Sequence, residues 1–142
     1  MIALLDVNML IALMDDRHLF HGRAQVWWRA EKRGGWASCP LTQNGFLRIV
    51  TQKKYSNPSS MADALTTLAR AVNDPHHHFW PDDVSLLDTT LIDHSRLLGP
   101  RHMIDVTLLA LAVKHGGRLV TLDTGISVQA VRGGKAAQLV KI

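Results

Sequence analysis

Short apolar runs, separated by longer mixed segments, dominate the pattern of the chain. Residues 2–5 read Ile-Ala-Leu-Leu, and residues 119–122 read Leu-Val-Thr-Leu. A run of this length is typical of a strand that is buried on both faces of a parallel sheet. Gly-Gly pairs at 34–35, 116–117 and 133–134 each precede a predicted strand, and basic residues precede the first two. Since helices commonly end at glycine, the pattern predicts a repeating unit of helix, glycine and strand.

Apolar residues at helical spacing predict helices in the segments between these strands. The predicted helices span residues 18–33, 42–51, 60–72, 88–97 and 104–113, with one more short strand at 84–87. Residues 104–113 are apolar on nearly every face, which indicates a buried helix. We therefore predict one α/β domain over residues 1–142. It is a three-layer α/β/α domain whose central parallel sheet has four to five strands.

Composition narrows the class of protein. The chain has 142 residues, of which 46% are hydrophobic, and a formal net charge of +4. Its sequence pI is near 9.6, which favours a polyanionic partner. Cys39 is the only cysteine, so no internal disulfide is possible. Asp6 and Asn8 interrupt the apolar opening segment, which is too short to span a bilayer. We expect a soluble cytoplasmic protein without membrane association.

Three aspartates from separated segments are the main chemical signal. Asp6 directly follows the first predicted strand, and Asp123 directly follows the apolar run at 119–122. Parallel strands place their carboxyl ends at one edge of the sheet, so both carboxylates should reach one crevice. Asp105 lies at the start of the buried helix. There, a carboxylate that only stabilises the first turn of the helix is as good an interpretation as a functional acid. Three carboxylates together are typical of a magnesium or manganese site.

Two polar residues near these aspartates have supporting roles in the prediction. Asn8 is expected to cap the helix that follows the first strand, which is compatible with orienting water. Thr121 alternates to the same side of its strand as Asp123. Its hydroxyl either hydrogen-bonds a ligand carboxylate or lies outward while the methyl group packs inside.

Four ordered segments of the chain resemble the PIN-domain ribonucleases, most closely the VapC-type toxins of VapBC toxin-antitoxin pairs. The segments are Leu4–Asn8, Pro40–Arg48, Ile104–Ala112 and Gly116–Asp123. The resemblance implies hydrolysis of RNA phosphodiester bonds with 5'-phosphate and 3'-hydroxyl products. It further implies one or two Mg²⁺ or Mn²⁺ ions held by Asp6, Asp105 and Asp123. The implied partners are an RNA substrate such as tRNA or rRNA, a VapB-type antitoxin and a second copy of the chain.

Gln43 is the one departure from that pattern. Members of the family typically carry glutamate at this catalytic position. Glutamine keeps a carbonyl oxygen but loses the negative charge, so metal affinity should fall. Three interpretations remain open: a weak nuclease, a site that works with three acids, or a variant made to silence the enzyme.

Basic and aromatic residues supply the candidates for RNA contact. The segment Thr51–Asn57 combines two lysines with a tyrosine, a composition that single-stranded nucleic acid uses for phosphate contact and base stacking. A solvated interhelical loop is the alternative interpretation. The full set of candidates is Arg17, Arg48, Lys53, Lys54, Tyr55, Arg101 and His102.

Other polar clusters are assigned structural roles. The run His76–His78 is predicted to be a surface loop, because adjacent side chains diverge too far to share a metal. Asp88 is predicted to cap the helix over 88–97, and Asp82 and Asp83 to be solvated. Apolar residues at Phe20, Val26, Trp28 and in the helix over 60–72 are the candidates for contacts between protein chains.

Two other functions compete with the nuclease. A phosphoryl-transfer or receiver-type α/β domain also gathers aspartates at strand ends. It would need a second acid beside Asp6 and a lysine after a late strand, and neither is evident. The second alternative is a catalytically silent module of the same fold that binds RNA or an antitoxin peptide.

Overall fold

The five strands are short, and all neighbouring pairs run parallel. The computed structural model describes residues 1–142. The strands are β1 (Ala3–Leu5), β2 (Trp36–Ser38), β3 (His77–Phe79), β4 (Arg118–Thr121) and β5 (Leu139–Lys141). They lie in the order β3-β2-β1-β4-β5. In the register, Leu4 of β1 lies between Ala37 of β2 and Leu119 of β4. The predicted parallel sheet is confirmed with five strands.

Helices cover both faces of this sheet, as predicted. They are α1 (Val7–Met14), α2 (His21–Glu31), α3 (Pro40–Val50), α4 (Met61–Val72) and α5 (Met103–Lys114). One apolar cluster joins α5 to Leu4, Ala37 and Leu119. A second apolar cluster joins the four helices α1, α2, α3 and α4 to Leu5 and Val120. Because successive strand residues enter opposite clusters, the inner strands are apolar throughout.

A close approach between α1 and α3 fixes the position of α3 beside β1. A Cβ atom added at Gly45 would lie 2.6 Å from Cγ2 of Val7. Real Cβ atoms essentially never come this close to another atom, so a side chain at position 45 would force Val7 or α3 to move. Pro40 occupies the first turn of α3, where its missing N–H costs nothing. The segment that carries Gln43 is therefore held against α1.

Several predicted elements differ from those of the structure. Residues 84–87 form no strand, and residues 88–97 contain only a short 3₁₀ turn at His94–Arg96. The strand next to β2 is instead His77–Phe79, so the prediction of a loop over the histidines is wrong. An edge strand is held by backbone hydrogen bonds on one side and needs few apolar side chains. The side chains of β3 are mostly exposed.

Two predicted helix caps are also wrong. Asp6, not Asn8, caps α1, because its side chain accepts the Val7 N–H at 2.7 Å. Asp88 caps no helix and instead accepts the Thr90 N–H in an exposed turn. The remaining predicted helices are confirmed with ends that shift by a few residues. None of the helices is both long and apolar enough to cross a bilayer.

Candidate active site

The site lies where the order of the strands reverses. From β1 the chain moves outward to β2 and β3, and then returns to the other side of β1 with β4. Open parallel sheets form a crevice beyond the carboxyl ends of the strands at such a point. Asp6 directly follows β1, and Asp123 lies two residues beyond the end of β4. The predicted meeting of these two acids follows from the topology.

Asp6 is a buried carboxylate held by two donors. It is only 5% exposed. Its Oδ1 accepts the Val7 N–H, and its Oδ2 accepts the Thr121 hydroxyl at 2.6 Å. Burial raises the pKa of Asp6, and the negative charge of Asp123 acts in the same direction, while the two hydrogen bonds lower it. Thr121 therefore adopts the hydrogen-bonding alternative of the two that its sequence position allowed.

Asn8 ties the start of α1 to the end of β4. Its Oδ1 accepts the Leu122 N–H at 3.1 Å, and its Nδ2 lies 3.3 Å from the Thr121 oxygen. Thr121 also accepts the Asp123 N–H at 3.0 Å. Because the single Thr121 proton is used on Asp6, these other two bonds must be donated to its oxygen. The network fixes both strand ends relative to each other.

Asp105 approaches the crevice from the first turn of α5. Its side chain is half-buried and makes no hydrogen bond or ion pair within the chain. Burial, followed by the charges of Asp6 and Asp123, raises its pKa to about 6, while His102 acts in the opposite direction. The charges of both predicted partners, Asp6 and Asp123, therefore act on Asp105. The three predicted acids are thus brought into one neighbourhood.

No ion pair neutralises this acidic group. The ion pairs of the chain involve other carboxylates, such as Asp74 with Lys32 and Glu31 with Arg118. Asp123 is exposed, and its only side-chain bond accepts the Gly125 N–H at 2.7 Å. No three His, Cys, Asp or Glu side chains stand close enough to hold one ion as they are placed. The group is therefore an electrostatically coupled set rather than a closed coordination shell.

Hard oxygen donors with unneutralised charge are nevertheless what a magnesium or manganese ion prefers. An ion would relieve the repulsion that raises the pKa of Asp105. The chemistry of the donor set therefore fits a divalent cation.

A cleft of about 810 Å³ opens beside the acids. Asp6, Asn8 and Asp105 line it together with Arg48, Tyr55 and Arg101. A smaller pocket of about 140 Å³, on the other side of Asp105, contains His102 and Arg96. The structure therefore brings four of the predicted RNA-contact residues to the acids. Arg17, Lys53 and Lys54 are exposed and line neither cavity.

Gln43 lies beside the end of β2 rather than on the wall of the cleft. Its Nε2 donates to the hydroxyl of Ser38 at 2.9 Å. That hydroxyl is also 2.8 Å from Nε2 of His77 on β3. Ser38 is fully buried. The sequence offered no sign of the contact between Ser38 and His77, because it depends on how β3 pairs with β2.

A family model described as PIN domain matches residues 3–131 of the chain. The chain belongs to the PIN-domain family. It is 50% identical over 131 residues to Ribonuclease VapC44 of Mycobacterium tuberculosis (strain CDC 1551 / Oshkosh), with 92% of each chain covered. It is 40% identical over 134 residues to Ribonuclease VapC39 of the same organism, covering 94% of this chain and 96% of the other. This places it among the VapC-type PIN domains.

Solved structures confirm the fold at low sequence identity. VapC20 of Mycobacterium tuberculosis, a toxin that cleaves the sarcin-ricin loop, superposes with a TM-score of 0.60 at 14% identity, over 84% of this chain and 87% of the other. VapBC2 of Rickettsia felis, bound to a DNA fragment from its promoter, gives a TM-score of 0.56 at 12% identity, over 87% and 89%. The predicted family and fold are confirmed.

Sequence reasoning missed a second polar cluster of this PIN domain. Asp15, at the end of α1, accepts hydrogen bonds from the Tyr55 hydroxyl, from Asn57 Nδ2 at 2.8 Å and from the Arg17 N–H at 3.0 Å. Burial opposes ionisation of Asp15, but these bonds outweigh it and hold its pKa below the ordinary value. The cluster pins the loop between α3 and α4, so this loop is less free than the predicted alternatives implied.

Proposed function

We propose that this PIN domain is a metal-dependent endoribonuclease that acts as the toxin of a type II toxin-antitoxin pair. The observation that carries the proposal is the electrostatic coupling of Asp6, Asp105 and Asp123 at the strand-order reversal, where none of the three forms an ion pair with a basic side chain. The names of the similar proteins, Ribonuclease VapC44 and Ribonuclease VapC39, support the same activity.

Asp6, Asp105 and Asp123 would hold one or two Mg²⁺ or Mn²⁺ ions. When bound, such an ion lowers the pKa of a water and neutralises charge on the phosphate. Thr121 and the Val7 N–H hold the Asp6 carboxylate in a single orientation. Asp105 has no internal hydrogen bond, so its oxygens remain free for a ligand.

Side chains of the cleft would hold the RNA strand. Arg48 and Arg101 line the cleft and make no ion pair within the chain, so both are available to phosphates. The Tyr55 ring lines the same cleft while its hydroxyl is bonded to Asp15. This arrangement leaves the ring for stacking on an unpaired base. An RNA strand held in this way would pass beside Asp6 and Asp105, which line the same cleft.

Hydrolysis of tRNA or rRNA tests the activity. We expect cleavage with Mg²⁺ or Mn²⁺, loss of cleavage with chelator, and 5'-phosphate and 3'-hydroxyl ends on the products. Asp105→Asn should reduce the rate at least 100-fold, because catalytic metal ligands are rarely replaceable. The matched control is Asp88→Asn, which changes an exposed aspartate that follows an apolar run but lies outside the cleft. Equal activity of both variants would contradict the proposal.

Gln43 defines a further test of the same activity. Replacing it by glutamate introduces the negative charge that the family typically carries at this position, so Gln43→Glu should increase the rate and lower the Mn²⁺ concentration needed. A reduced rate would show that the amide is the functional group.

A VapB-type antitoxin and a second copy of the chain are the proposed partners. The VapBC2 neighbour is a toxin-antitoxin complex, which supports the first. Val26 is 70% exposed, and Met61 and Leu65 of α4 are 51% and 49% exposed, which supports an apolar contact between chains. Co-purification with the antitoxin and the molar mass in light scattering test the two partnerships.

A silent binding module is the second candidate, favoured by the engagement of Gln43 with Ser38 and by the open spacing of the acids. It predicts that RNA is retained on a filter but never shortened with Mg²⁺ or Mn²⁺. Cleavage that chelator abolishes would exclude it.

A further inference from the structure

Gln43, Ser38 and His77 form a chain of hydrogen bonds that runs from the edge strand β3 through the end of β2 to the first turns of α3. The chain runs from Gln43 Nε2 to Ser38 Oγ at 2.9 Å, and from Ser38 Oγ to His77 Nε2 at 2.8 Å. Ser38 is 0% exposed, and the His77 ring packs on Trp36 with centroids 4.4 Å apart. Water therefore has little access to the middle of this relay.

We propose that Ser38 and His77 are positioning residues that fix the direction of the Gln43 amide and leave its carbonyl oxygen as the atom available to a cation. The inference rests on the proposed function. It assigns roles to two residues outside the acidic group and explains how glutamine serves at a position where the family carries glutamate.

The direction of the relay follows from counting protons. A serine hydroxyl has one proton to donate. Since Gln43 Nε2 carries hydrogens only, it must donate to Ser38, and Ser38 is then free to donate to His77. This requires His77 Nε2 to be unprotonated, with the ring proton on Nδ1. Gln43 Oε1 receives no hydrogen bond from the chain, so it is the free end of the amide.

The surroundings of His77 favour a neutral ring, and the hydrogen bond from Ser38 then selects the tautomer. Burial holds the pKa of His77 below its ordinary value, and the neighbouring His78 acts in the same direction, while Asp74 opposes both. A ring with a proton on Nε2 would donate to Ser38, and the proton of the buried Ser38 hydroxyl would then have no acceptor in this relay. The relay therefore works in one direction with glutamine at position 43.

Glutamate at the same position would reverse the relay. A carboxylate only accepts hydrogen bonds, so it would take the Ser38 proton. Ser38 would then need a donor, and His77 would have to carry its proton on Nε2. Glutamine at position 43 is therefore compatible with a His77 ring protonated on Nδ1. Glutamate at the same position is compatible with a ring protonated on Nε2.

The test is the protonation of the two His77 nitrogens, read by ¹⁵N NMR of the full-length chain without metal. Signals are assigned by their loss in His77→Gln. We expect unprotonated Nε2 in the native chain and protonated Nε2 in Gln43→Glu. The control Gln52→Glu adds the same charge on the loop after α3 and should leave His77 unchanged. Protonated Nε2 in the native chain, or the same form in both chains, would overturn the proposal.

Mn²⁺ affinity, measured with the metal alone, tests the consequence for the site. Removing a group that orients a ligand commonly weakens metal binding by about 10-fold or more. Ser38→Ala should show such a loss, whereas Ser85→Ala, in an exposed turn, should not. Unchanged affinity in a folded Ser38→Ala chain would overturn the positioning role.

These readouts remain separate from the nuclease activity. If the native chain fails to cleave RNA with Mn²⁺, the proposed function fails, while the NMR result still decides the direction of the relay. If cleavage is present and both His77 and the Mn²⁺ affinity behave as in the controls, the relay fails and the nuclease stands.

Discussion

Two aspartates of the acidic group are held in opposite ways. Asp6 is buried and accepts two hydrogen bonds, whereas Asp105 is half-buried and accepts none. The first is a fixed part of the fold, and the second is a charge held in place by its helix alone. Substitutions at these two places should therefore distinguish the effect of carboxylate orientation, at Asp6, from the effect of negative charge, at Asp105.

Thr121→Val tests the orientation of Asp6. The change removes the 2.6 Å hydrogen bond at nearly constant side-chain shape and leaves the donors of Asp123 and Asn8 without an acceptor. We expect about 10-fold lower RNA cleavage, as for other residues that orient a metal ligand. The free energy of unfolding should fall by about 1–3 kcal/mol. The control Thr90→Val removes a bond of equal length, 2.6 Å to Asp88, in an exposed turn. Equal effects of the two variants would contradict the role of Thr121.

Asp105→Asn tests the charge. The folded pKa is about 6, above the ordinary value of 3.8. Ionisation is therefore disfavoured by folding, and the native chain should gain stability as the pH falls through 6 towards 4. In chelator, the variant should be more stable than the native chain by about 1 kcal/mol above pH 7, a value reduced by solvent screening. The difference should vanish near pH 3. Urea unfolding at both pH values measures it, and a less stable variant at neutral pH would contradict the electrostatic account.

At the level of elements, close contact between α1 and α3 positions the part of α3 that carries Gln43. Gly45→Ala would place a methyl group 2.6 Å from Val7. We expect a loss of about 1–3 kcal/mol in the free energy of unfolding, because α3 must move away. The control Gly22→Ala lies in α2 with nothing within 4 Å of the added atom. It should stabilise the chain by about 0.5–1 kcal/mol.

The two substitutions are chemically identical, so urea unfolding of both separates packing from helix propensity. Val7→Ala added to Gly45→Ala should recover part of the loss. Equal signs for the two glycine variants would contradict the close-contact interpretation.

Element prediction succeeded where burial controls the sequence and failed where it does not. The strands β1 and β4 and the middle of α5 are almost completely buried, so their apolar runs identify them. The run at 84–87 has the same appearance, but Val84 and Leu86 pack as irregular chain against the core around α5. The edge strand β3 has polar residues and was missed for the converse reason.

The same distinction holds for the site. Asp6, Asp123 and Thr121 follow from strand ends, which the sequence marks with an abrupt change from apolar to polar. The contacts of Ser38 with His77 and of Tyr55 with Asp15 join residues that are far apart in the sequence. No local pattern encodes such pairs, so they required the structure.

Across the whole molecule, the net charge of +4 contrasts with the acidic group. Arg48 and Arg101 line the cleft, whereas Lys53 and Lys54 lie on the exposed loop outside it. A phosphate contact of the cleft arginines would neutralise RNA next to the acids. For RNA binding, we therefore expect the position of a basic side chain to matter more than its contribution to the net charge.

RNA binding at several salt concentrations tests this distribution. Arg48→Ala and Arg101→Ala should each reduce the slope of log affinity against log salt by about 1. The control Arg29→Ala, exposed in the last turn of α2, should leave the slope unchanged. A larger effect of Lys53→Ala and Lys54→Ala than of the cleft arginines would move the RNA path to the loop.

The proposed nuclease requires that Asp6, Asp105 and Asp123 share a divalent cation. Anomalous diffraction from a crystal soaked in Mn²⁺ locates that ion. We expect a peak bounded by carboxylate oxygens of these three residues, and its loss in Asp105→Asn. A peak confined to His76–His78, with none beside the three aspartates, would contradict it.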